Sequence, residues 1–121
     1  MKYLCLVFID EKKLEALSGS ESQSLDDESL TYDDTLRQGG HLIVAQALQL
    51  SRSAATVRVQ RDKVLVTDGP FAETKEQVGG FILIEARDLK EAIQIASKIP
   101  VARLGAIEVR SIKELARSTA Q

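Results

Sequence analysis

Residues 2–9 run Lys-Tyr-Leu-Cys-Leu-Val-Phe-Ile and stop at Asp10. An apolar run that short, ended by a charge, predicts a strand buried on both faces. Asp10 is placed to cap a short helical piece carrying Leu14 and Leu17. Residues 18–24 are rich in Ser and Gly and predict a mobile loop. Helical signals resume near Leu25, with Tyr32 and Leu36 four apart, and Gly39-Gly40 supplies a stop. Residues 41–48 predict a strand, with Leu42, Val44 and Leu48 on one face and His41, Ile43, Ala45 and Ala47 on the other. Residues 56–60 and 63–67 form a hairpin pattern around Arg61-Asp62, and 80–86 a further strand. Asp88 and Glu91 have capping-box spacing before a helix with a stripe of Leu89, Ala92, Ile93 and Ala96. Pro100 ends that helical region, residues 106–112 predict the last strand, and the tail from Ala116 is expected to fray.

Without the hairpin, this order is βαββαβ, the ferredoxin-like α+β arrangement with one inserted β-hairpin. Two helices cover only one face of such a sheet. Yet Leu4, Leu6 and Phe8 on one side of the first strand, and Cys5, Val7 and Ile9 on the other, are all apolar. Phe81 and Leu83, against Ile82 and Ile84, repeat the pattern in the fifth strand. Leaving the second face in water would expose a patch beyond the few hundred Å² usual for a monomer. A homodimer packed sheet to sheet is the expected solution, with pockets between each sheet and its cover.

The chain's 121 residues, 44% of them hydrophobic, suit one domain spanning residues 1–121. A net charge of −2 gives no broad attraction to nucleic acid or to anionic membranes. The element order matches that of an RNA-recognition module, but the strands lack its aromatic signature. No run approaches a membrane span, and the first apolar run lacks a signal-peptide cleavage site. A lone cysteine, Cys5, fits a reducing cytoplasm. One His and one Cys far apart give no zinc spacing, and Asp26, Asp27 and Glu28 lack a calcium-binding loop. Gly79-Gly80 opens a strand rather than a phosphate-binding helix, so neither metal nor cofactor is expected.

The densest polar chemistry lies in Thr67-Asp68-Gly69-Pro70-Phe71-Ala72-Glu73-Thr74-Lys75-Glu76, a stiff turn between two apolar runs. Asp68 either orients a base or pins the turn through backbone N–H groups. His41, the one side chain that ordinarily titrates near neutrality, is either a general base or a solvent-touching strand end. Phe71 walls a pocket or anchors the loop. Thr67, Glu73, Thr74 and Lys75 are polar groups within reach of a ligand, although Lys75-Glu76 also reads as a solvated pair. Arg58 projects opposite Val57 and Val59, either to clamp an anion or to pair across the hairpin. Tyr32 offers a phenolic proton to a cleft, or buries its ring and keeps its hydroxyl wet.

These pieces resemble the YCII-related family, in its DGPF-motif branch. The resemblance rests on the ten-residue motif together with Gly39-Gly40-His41-Leu42, Ala47-Leu48 and Thr56-Val57-Arg58-Val59. Gly79-Gly80-Phe81, Glu91-Ala92-Ile93 and Gly105-Ala106-Ile107-Glu108-Val109-Arg110 extend it. It implies a dimeric α+β barrel. It also implies, for some wider relatives, a His–Asp pair in a cleft, one relative being similar to a dehydrochlorinase acting on a hydroxyquinone. Genes of the branch often lie near those of alternative sigma factors. The family's proposed histidine belongs to the first helix, where this chain has Tyr32 and Asp33, so it does not map onto His41 by motif. Two functions stay open: a cofactor-independent lyase or elimination enzyme using His41 and Asp68, and a non-catalytic domain that senses a metabolite or binds a protein, with a link to sigma-factor regulation.

Overall fold

A computed structural model describes residues 1–119. Strand β1, Lys2–Asp10, is central, with β5, Glu76–Glu85, and β6, Gly105–Ser111, antiparallel on its two sides. Strand β2, Leu42–Ala47, pairs antiparallel with the outer side of β5, giving the order β2-β5-β1-β6. This α+β arrangement is compatible with a ferredoxin-like fold. Strands β3, Ala55–Gln60, and β4, Lys63–Asp68, form a separate two-stranded sheet between β2 and β5 in chain order. Arg61 and Asp62, which join them, both have positive φ, as a tight hairpin turn matched to strand twist requires.

Helices α1, Glu11–Glu15, α2, Gly19–Gln38, and α3, Leu89–Ala96, serve one face of the four-stranded sheet. Tyr3, Cys5, Ile82 and Ile84 pack there with Leu36, Ala92, Ile95 and Ala96. Val7 and Ile9 pack with Leu25 and Leu104 in an adjoining cluster. Ile9 also covers Gly79, where an added Cβ would fall 2.0 Å from its Cδ1. That contact accompanies a register shift between Val7 and Phe8, where the missing side chain of Gly79 leaves the space that the Ile9 side chain fills.

Four local expectations are corrected. Residues 18–24 are helical rather than a loop: Ser18 accepts from the Glu21 N–H while the Glu21 carboxylate accepts from the Ser18 N–H. This reciprocal cap outweighs the low helix propensity of Ser and Gly. In β2, a register shift between Leu42 and Val44 puts Leu42 and Ala45 together against the core, so simple alternation fails. The buried stripe of α3 is Ala92, Ile95 and Ala96, whereas Leu89 and Ile93 are half exposed, because the helix is rotated about its axis. Asp88 caps α3, but the Glu91 carboxylate takes the Arg87 N–H and ion-pairs with Arg87 instead of closing a box on Asp88. From Ala116 to Thr119 the chain has no regular structure, and the last two residues of the expected frayed tail lie outside the described residues.

The opposite face of the sheet carries Leu4 beside Leu83, Leu6 beside Phe81, and Phe8 beside Val78, with Val44 next to Leu83. None of these side chains joins the helix-covered core clusters, and all are partly or largely exposed.

Candidate functional site

The motif begins at the end of β4, where the Gly69 N–H donates to the Ala54 carbonyl and the Thr56 hydroxyl to the Gly69 carbonyl. Gly69 has φ +98°, a left-handed conformation that favours glycine. Thr67 faces Thr56 across the ribbon. The loop then doubles back: Gln77 donates through Nε2 to the carbonyls of Ala72 and Thr74, and the Thr74 hydroxyl donates to the Glu76 carbonyl. Lys75 reaches over Asp10, with Nζ 3.8 Å from Oδ2. Asp10 is the one buried charged residue among those described, 4% exposed. Its other oxygen accepts from the Lys12 N–H and caps α1. The neighbouring Glu11 carboxylate accepts from both the N–H and the hydroxyl of Ser51, tying the root of the β3–β4 ribbon to this end of the sheet.

Phe71 neither anchors the loop in the core nor walls a closed pocket, for its ring is 73% exposed. The Arg58 guanidinium lies 4.8 Å from that ring's centroid, a cation–π contact. Among the described residues Arg58 has no acidic partner, and its cross-strand neighbour is Leu65. Glu73 sits beside the turn, its Oε1 3.9 Å from where a Cβ on Gly69 would stand.

His41 lies elsewhere. Its Nδ1 is 2.8 Å from the Glu85 carbonyl, and its own carbonyl accepts from the Glu85 N–H. A carbonyl only accepts, so Nδ1 carries the proton and Nε2 keeps the lone pair when the ring is neutral. Glu85 pairs with Lys2 at one end of β1, and Glu76 with Asp10 at the other. Ten residues of strand separate the ends by about 30 Å. Asp68 belongs with the Asp10 end through Ala54, Ser51 and Glu11, so the chain does not bring His41 and Asp68 together. Local sequence carries no information about which end of a distant strand a residue meets.

Tyr32 spends its hydroxyl on the Ile95 carbonyl at 2.7 Å, stitching α2 to α3. Burial pushes its phenol up, with a smaller contribution from Cys5. The neighbouring Asp33 carboxyl is also raised, chiefly by burial, with Arg37 opposing and Asp34 reinforcing the shift. A hollow of about 240 Å³ lies between α2 and residues 103–104, lined by Leu17, Ser20, Glu21, Ser24, Leu25, Arg103 and Leu104. None of the motif's residues reaches it. Asp10 and Gln77 were not among the expected site residues. The capping role of Asp10 was legible, whereas its burial beneath Lys75 depends on the returning loop.

The motif end of the sheet thus presents a lysine over a buried carboxylate and a guanidinium stacked on an exposed ring. Such groups suit recognition of an anionic or planar polar molecule. A family model described as the YCII-related domain matches residues 1–116. An uncharacterised protein of Rhizobium meliloti (strain 1021) is 34% identical over 114 residues, covering 93% of this chain and 92% of that protein. The chain belongs to the YCII-related family.

Proposed function

We propose that this YCII-related protein is a homodimeric, cytoplasmic binding module of the DGPF branch, recognising a small anionic molecule at the loop spanning residues 69–75. The observation that carries this reading is the separation of His41 from Asp68, which leaves the motif without an acid–base pair. Arg58 on Phe71 and Lys75 above Asp10 supply recognition instead. The half-buried apolar face of the sheet supports a dimeric α+β barrel, closed by a second copy of the chain. A metabolite-sensing role fits this arrangement, including one linked to sigma-factor regulation.

A second reading keeps catalysis. The Nδ1 contact to Glu85 fixes the His41 ring and leaves Nε2 for a proton, so His41 would serve as a base without Asp68.

Calorimetry with a panel of aromatic and aliphatic carboxylates separates the two. Binding should weaken about tenfold, or 1.4 kcal/mol, in Arg58→Ala or Lys75→Ala, and persist in His41→Gln. Equal affinity in the wild type, Arg58→Ala and Lys75→Ala would overturn the loop as the recognition site. In NMR, the His41 titration curve of Asp68→Asn should overlay that of the wild type, and a displaced curve would restore the dyad.

A further inference from the structure

Four valines share one side of the β3–β4 ribbon. Val57 pairs with Val66 and Val59 with Val64, and all four are at least 61% exposed. The ribbon's stitches to the rest of the chain lie at its root, around Ala54, Thr56, Gly69 and the Ser51–Glu11 contact. Beyond Thr56 every residue of both strands is exposed. A two-stranded ribbon alone is marginal in water and needs a packing surface. Six-residue strands make this one about 20 Å long.

We infer that residues 55–68 are a clasping arm whose valine face seats on a second copy of the chain, at the margin of that copy's open sheet face. The clasp presupposes the sheet-to-sheet dimer proposed above and adds a contact that the sheets alone do not make. One feature favours a second copy over an unrelated partner. The chain carries both surfaces, so a two-fold exchange covers arm and sheet reciprocally and closes without leaving either in water. Together, the four valines and Leu4, Leu6, Phe8, Val44, Phe81 and Leu83 form an apolar set suited to the ~800 Å² per partner of a standard interface.

The chain has no tryptophan, so Val59→Trp makes the arm report on its own surroundings. Sedimentation of the same samples fixes the oligomeric state. Blue-shifted emission in the dimer, moving to the water-exposed value on dilution to monomer, is expected. Val64→Lys, without the indole, should weaken dimerisation at least tenfold. A dimer with water-exposed emission, or undiminished dimerisation of Val64→Lys, would overturn the clasp while leaving the sheet dimer standing. Blue emission independent of concentration would place the arm against its own chain and equally overturn it. A wild type that is monomeric at micromolar concentration would remove both the dimer and the clasp.

Discussion

Along β1, Tyr3, Cys5, Val7 and Ile9 are at most 7% exposed, while Leu4, Leu6 and Phe8, alternating with them, stay half-buried. The side chains are of the same kind on both faces, and the surroundings differ. Helices α2 and α3 close over the first set with Leu36, Ala92, Ile95 and Ala96. The second set has only cross-strand neighbours beside it, Leu83, Phe81 and Val78 on β5 and Arg110, Glu108 and Ala106 on β6, with no helix over it. Apolar pattern alone therefore does not tell a face covered within the chain from one left open. What tells them apart is the number of covering elements the chain can supply.

One charge placed on each face separates the two most sharply. Val7→Asp buries a carboxylate with no partner, at a cost of more than about 4 kcal/mol. Against a typical stability of 5–15 kcal/mol, that leaves a marginal or unfolded chain, seen as loss of the cooperative urea transition. Leu6→Asp, one residue away, should keep the circular dichroism of a folded chain and sediment as a monomer. Equal unfolding by both would erase the distinction between the faces.

A smaller effect reports on the covered face alone. Burial pushes the Cys5 thiol from its ordinary 9.0 up to about 11. Between those values the unfolded chain has lost a proton that the folded chain retains, so the folded state binds more protons and stability falls as pH rises. The loss is on the order of 2 kcal/mol by pH 11. Denaturation at pH 8 and pH 10.5 should show a steeper decline for the wild type than for Cys5→Ala. Parallel declines would mean that the thiol is not shielded.

Much of the scaffold was legible because it is local. The two-sided apolar runs at 2–9 and 80–86, the Asp10 and Asp88 caps and the Gly39-Gly40 stop each depend on neighbours in sequence. The Ser18 box was equally local, with Glu21 three residues on, but the Ser and Gly content of 18–24 masked it. The faces of β2 and α3 were not legible, because a bulge at Leu42/Val44 and a rotation of the helix answer to packing rather than to period. The site was legible as a list and not as a constellation. Thr67, Asp68 and Lys75 do converge on one end of the sheet, but His41 is held to Glu85 at the other. Asp10 gains its place only when Lys75 folds back over it.

Equilibrium sedimentation of the wild-type protein at micromolar concentration tests directly the proposed closure of the open sheet face by a second copy. A species of twice the chain mass, dissociated by Leu6→Asp without unfolding, is the predicted result. A compact monomer that stays soluble across the concentration range would contradict it.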